Sequence, residues 1–138
     1  MDSPDAVVLT QDLPFLGVVQ AGFPSPASDY LDQSLDLTRR FIHRPQASYI
    51  MRIAGDSLLG AGIVPGDYVV VDRSLTPRDR HIVIAIVNGE LTAKRYLQQG
   101  NMIVLAAENP AYPAVPWGEG CEIWGVVTSV HRDVLATH

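Results

Sequence analysis

The chain has 138 residues, enough for one domain with a real core and too few for two well-packed ones. Ten Lys and Arg against fifteen Asp and Glu give a formal charge of −5, the reverse of the basic footprint that grips phosphates, so direct nucleic-acid binding is not expected. Cys121 is the single cysteine, which excludes an intrachain disulfide and fits a reducing compartment, and its apolar neighbours predict a buried thiol.

The N-terminus, Met1-Asp2-Ser3-Pro4-Asp5, is acidic where a signal peptide carries positive charge, and no apolar run reaches the roughly 18 residues of a membrane span. A soluble, cytoplasmic chain without membrane association is the expectation. From Met1 to about Asp29 short apolar pieces alternate with Pro4, Pro14, Pro24 and Pro26. Proline fixes φ and removes a backbone donor, so residues 1–29 read as a flexible, extended arm ahead of a folded domain over residues 30–138. Asp36 before Leu37, Phe41 and Ile42 predicts one short capped helix that ends ahead of Pro45.

Beyond Pro45 strand signals dominate. Ser48–Ile53, Tyr68–Asp72, Ile82–Val87, Glu90–Leu97, Met102–Ala106 and Glu122–His131 are rich in β-branched and aromatic residues. Pro65-Gly66-Asp67, Asn88-Gly89, Gly100-Asn101 and Asn109-Pro110 supply turns between them. The chain therefore reads as a compact, mostly β fold of hairpins and twisted antiparallel sheets with at most one or two short helices. Asn88-Gly89 favours a two-residue type I′ turn, which sets Val87 opposite Glu90, Ala85 opposite Thr92 and Val83 opposite Lys94. Lys94 then stands among apolar side chains.

Gly55-Asp56-Ser57-Leu58 places a serine on a loop between a strand and the small-residue stretch Gly60-Ala61-Gly62. Backbone N–H groups at such a turn can converge on one point, as an oxyanion hole for acyl transfer requires. The same tripeptide is also a common solvated turn. A serine hydroxyl needs a base. His43, His81, His131 and His138 fall in loops or at strand and chain ends without metal-ligand spacing. Lys94 is the better candidate, because an apolar sheet face supplies the desolvation an amine needs to become a base. Bringing a lysine from about 10.4 to near 7 costs about 4–5 kcal/mol, and a lysine snorkelling from a strand edge stays open as the plainer reading.

Taken together, these pieces resemble the UmuD and LexA family of Ser-Lys self-cleaving proteins, closest to its UmuD-like members. The matching segments are Val19-Gln20-Ala21-Gly22-Phe23-Pro24-Ser25-Pro26-Ala27, Gly55-Asp56-Ser57 with Gly62-Ile63 and Gly66-Asp67, Gly89 through Arg95, and Gly125-Val126-Val127-Thr128. The resemblance implies a LexA-like peptidase domain over residues 30–138, with Ser57 as nucleophile, Lys94 as general base and the amides of Asp56 and Ser57 binding the oxyanion. It places the scissile bond at Ala21-Gly22, where UmuD-like members often carry cysteine before the glycine and this chain has alanine, as repressors do. About 115 Å of fully extended chain from Gly22 to Ser57 would permit attack in cis or on a partner. No cofactor and no metal are expected, and the resemblance further implies a homodimer. A RecA filament on single-stranded DNA would trigger the cut, a population shift in the arm. The clipped form would serve a UmuC-like, Y-family translesion polymerase in SOS-response mutagenesis.

Three rivals remain in view. A LexA or phage-type repressor would carry a helix-turn-helix domain ahead of the cleavage site, where this chain has only about twenty proline-broken, acidic residues. Gly55-Asp56-Ser57-Leu58 spells the signature of an esterase family, but Asp133 and His138 lack its spacing and the alternating helices are missing. A catalytically silent dimeric adaptor is the reading from outside enzymology.

Overall fold

Asn88 and Gly89 adopt φ of +50° and +85°, the left-handed pair that a two-residue I′ hairpin demands. The turn joins β5 (Ile82–Val87) to β6 (Glu90–Gln99), with Val87 opposite Glu90, Ala85 opposite Thr92 and Val83 opposite Lys94, the register the sequence predicts. The structure is a computed structural model and describes residues 12–19 and 34–135. By their contacts the residues form one unit running to His43 and a second beginning at Arg44.

In the first unit, β1 (Asp12–Pro14) pairs antiparallel with β2 (Ser34–Asp36), and α1 (Leu37–Phe41) follows directly. The Asp36 carboxylate accepts from the N–H groups of Thr38 (3.0 Å) and Arg39 (3.3 Å), satisfying donors that a helix start leaves open. Arg39 and Arg40 in the last turn complement the carbonyl end of the helix. The chain leaves the helix at Ile42, ahead of Pro45 as the sequence predicts, and Pro45–Ala47 then form a 3-10 turn that the sequence does not announce. Of the arm, residues 1–11 and 20–29 lie outside the described residues.

The second unit holds β3 (Ser48–Arg52), β4 (Tyr68–Asp72), β5, β6, β7 (Met102–Ala106), β8 (Val115–Pro116) and β9 (Cys121–His131). Among the described residues these form one antiparallel sheet in the order β3-β4-β9-β5-β6-β7-β8. Central β9 carries two irregularities. Val70 and Val71 face Ser129 and Val127, which leaves Thr128 extra, and Ile84 and Ala85 face Gly125 and Ile123, which leaves Trp124 extra. Each bulge bends and twists the strand. Between them Gly125 lets β4 come close, since a Cβ there would lie 2.6 Å from Val71 Cγ1. The curl lets β3 and β6, which three strands separate in the sheet order, line one cleft.

Side chains alternate across β5, and the core divides accordingly. Ile84 belongs to a cluster with Ile53, Leu58, Ile63, Val69 and Val71. Val83 and Ala85 belong to another with Tyr96, Leu105 and Val126. Cross-strand pairing puts Lys94 on the Val83 face and Ala93 on the Ile84 face.

Two buried aspartates tie down the ends of β4. Asp67, 1% exposed, accepts from Arg132 at 2.6 and 2.7 Å and from the Val64 N–H at 2.9 Å, and the Arg132 bonds lower its pKa to about 2. Burial alone would raise Asp72, but bonds from Ser74 and Arg44 outweigh it and the net shift is downward. A carboxylate with a depressed folded-state pKa stabilises the fold above its unfolded value and loses that contribution as pH falls through the folded one. Urea midpoints are therefore expected to drop between about pH 4 and pH 2, with Asp67 accounting for about 2 kcal/mol. Arg132→Met should be less stable at pH 7 and show a flatter profile across that window. A variant profile parallel to the parent's would contradict this assignment.

Candidate active site

Leu58 is 1% exposed and anchors the loop after β3 in the core, with Ser57 beside it at the cleft. A 3-10 turn at Leu59–Ala61 follows and is closed by Gly62 in the left-handed region at φ +78°. The residues after β7 hold this loop from the other side. The Gly60 N–H donates to the Glu108 carbonyl (2.7 Å), and the Glu108 N–H donates to the Ser57 carbonyl (2.7 Å). Asn109 Nδ2 donates to the Asp56 carbonyl (2.9 Å), and the Tyr112 hydroxyl donates to the Asp56 carboxylate (2.5 Å). Glu108 is itself fixed by Arg95, whose Nε lies 2.8 Å from its carboxylate. Only glycine fits at position 60, because a Cβ would lie 2.7 Å from the Glu108 carbonyl oxygen.

The Ser57 hydroxyl donates to the carbonyl of Ala93 at 3.2 Å. The next residue along β6 is Lys94, 8% exposed, with its Nζ 5.4 Å from the centroid of the Tyr112 ring. The bond to Asp56 raises the Tyr112 phenol above its ordinary pKa, so the hydroxyl stays a donor. Among the described residues the N–H groups of Asp56 and Ser57 donate to no protein acceptor. Ser57 opens onto a cleft of about 540 Å³. Met51, Ile53, Ile84 and Leu91 make its walls apolar, while Gly55 and Ala93, with little or no side chain, leave backbone within reach of a bound peptide.

The Ser57 loop and the strand that carries Lys94 thus meet through the Ser57–Ala93 bond. Ala21 and Gly22 lie outside the described residues. The histidines are engaged elsewhere: a His43 ring nitrogen with the Arg40 carbonyl, His81 Nδ1 with the Arg78 N–H, and His131 Nε2 with the Ser129 hydroxyl. His138 is outside the described residues. Cys121 is half-buried at the start of β9, against the cluster of Val83 and Leu105, rather than fully enclosed. Glu108, Asn109 and Tyr112 were not foreseen from sequence. Asn109-Pro110 announces only a turn, and the one hint of a close approach was the small-residue run at Gly60. Among the described residues no helix is long and apolar enough to cross a membrane.

A curled antiparallel sheet with a serine-bearing loop at an apolar cleft is the architecture of a serine peptidase family, and the chain belongs to the peptidase S24-like family, whose pattern matches residues 14–128. Its relatives include UmuD-like proteins. SamA of Salmonella typhimurium strain LT2 is 46% identical over 113 residues, covering 81% of this chain and 79% of that one. ImpA of Salmonella typhimurium is 44% identical over 115 residues, covering 82% and 79%. MucA of Salmonella typhimurium is 41% identical over 116 residues, covering 83% and 80%.

Proposed function

We propose that this chain is a UmuD-like autoprotease that cuts its own Ala21-Gly22 bond with Ser57 as nucleophile and Lys94 as general base. The reading rests on one observation: the cleft serine is hydrogen-bonded to the residue adjoining a lysine buried on an apolar sheet face. In the reaction, Ser57 Oγ attacks the Ala21 carbonyl carbon and its proton passes to the uncharged Lys94 amine. The carbonyl oxygen, now carrying charge, is met by the Asp56 and Ser57 N–H groups, which have no other partner among the described residues. The C–N bond breaks, Lys94 returns the proton to the Gly22 nitrogen, and an ester joins Ser57 to Ala21. Water, deprotonated by Lys94, then hydrolyses that ester. Alanine and glycine suit a cleft in which the backbone must approach a strand closely.

Kinship with UmuD-like proteins supports the rest of the reading. A RecA filament on single-stranded DNA favours the arm conformation that lays the bond over Ser57. The cut chain, a homodimer, then joins a UmuC-like translesion polymerase in SOS mutagenesis. The test is mass spectrometry of the purified chain after incubation at about pH 10, where a lysine amine sheds its proton, and again at neutral pH with activated RecA. Fragments ending at Ala21 and starting at Gly22 are expected. A chain left whole under both conditions would point to a silent adaptor.

A further inference from the structure

In the arrangement described, neither half of the Ser57–Lys94 pair addresses the other. The serine proton is directed at the Ala93 carbonyl, and the amine faces the Tyr112 ring. Tyr112 also holds Asp56, one of the two residues whose N–H groups are left open beside Ser57. We propose that Tyr112 is a positioning residue with two opposed actions: its hydroxyl steadies the nucleophile loop for catalysis, while its ring parks the Lys94 side chain and keeps the pair latent. The proposal rests on the assignment of Lys94 as the base.

The physical asymmetry lies in the ring. An aromatic face attracts a cation and offers little to a neutral amine, so the ring holds the Lys94 side chain while it is charged and has little hold on it once neutral. The other charged groups nearby are already committed. Asp56 on the nucleophile loop is bonded to the Tyr112 hydroxyl, Glu108 is paired with Arg95, Arg95 points to the opposite face of β6, and β5 contributes Val83. Among the described residues no carboxylate forms an ion pair with Lys94. The ring is thus the partner the amine must leave before it can reach Ser57. Tyr112 is 42% exposed, so a partner or a bound arm can reach and displace it without opening the core.

Two substitutions separate the actions. Tyr112→Phe keeps the ring and removes the bond to Asp56. Tyr112→Leu removes both. Self-cleavage of the whole chain, followed by mass spectrometry from about pH 7 to pH 11, is expected to show the Phe variant slower than the parent at every pH with an unmoved midpoint. The Leu variant should have its midpoint displaced downward, so that relative to the Phe variant it cuts about two- to fivefold faster below the midpoint, the factor corresponding to an exposed cation–aromatic contact. A residue that merely props up the loop would lower both curves alike and move neither midpoint, and that outcome overturns the proposal. Tyr112→Met serves as a second ring-less variant should the Leu chain fail to fold, with the same expected displacement. Lys94→Ala, run alongside, separates the failures: cutting that persists without Lys94 removes the dyad assignment, and this proposal with it. A Lys94-dependent reaction with an unmoved midpoint removes the proposal alone.

Discussion

Ser57→Ala is expected to leave the chain whole under alkaline conditions and with activated RecA, a loss of at least about 10³-fold in cutting rate, because the attacking oxygen is gone. Lys94→Ala should fall as far, since the serine then has no group to take its proton. The two losses should not add in a double variant, as is usual for groups that act as one unit. Stability separates a chemical effect from a structural one. Among the described residues Lys94 forms no ion pair and its amine lies over the Tyr112 ring on an apolar face, so Lys94→Met, which refills the space without a charge, is expected to match or exceed the parent in thermal midpoint. A gain of about 1 kcal/mol would raise the midpoint by roughly 3–6 °C in a chain of this size. An uncut but more stable Lys94→Met chain would assign the residue to chemistry. Equal fragment yields from parent, Ser57→Ala and Lys94→Ala would instead trace the cutting to a contaminating protease.

Gly60→Ala should produce the next largest loss of activity while sparing most of the stability. The added methyl group would sit 2.7 Å from the Glu108 carbonyl oxygen, and backbone must give way. What moves is the segment whose N–H holds the Ser57 carbonyl and whose Asn109 and Tyr112 hold Asp56. Overpacking of this kind costs about 1–3 kcal/mol, and displacing a reacting group by about 1 Å costs on the order of 10²-fold in rate. The expected result is a chain that melts a few degrees lower, remains folded by circular dichroism, and cuts itself about a hundredfold more slowly at every pH. Retention of more than half the parent rate would show that the contact between the two loops is not needed for the reaction.

The local grammar of this sequence is transparent wherever a residue type has one physical use. Asn88-Gly89 fixes a turn, the turn fixes a register, and the register puts Lys94 against Val83, all without knowledge of the rest of the chain. Asp36 caps α1 for an equally local reason. The long strands are readable because runs such as Tyr-Val-Val-Val-Asp and Ile-Val-Ile-Ala-Ile-Val serve poorly as anything else. The short strands β1, β2 and β8 are not, since two or three residues carry no period. Nor are the bulges at Thr128 and Trp124, which depend on how β9 meets β4 on one side and β5 on the other. Contacts between distant loops are equally hidden, so the bonds that Glu108, Asn109 and Tyr112 make to the loop of Asp56, Ser57 and Gly60 carry no local signal, whereas Ser57 and Lys94 stand out by residue type and predicted setting alone.

The tight connection at Asn88-Gly89 also restricts how this part of the chain can change. Along β6 each step reverses the direction of the side chain, so the distance from the turn to Lys94 has a parity as well as a length. One residue gained or lost between them would send the amine to the Ile84 side of the hairpin and put a neighbour in its place, whereas a change of two would keep the side and shift only the position. Descendants of this chain can vary the composition of the stretch from Glu90 to Ala93 far more freely than they can vary its count.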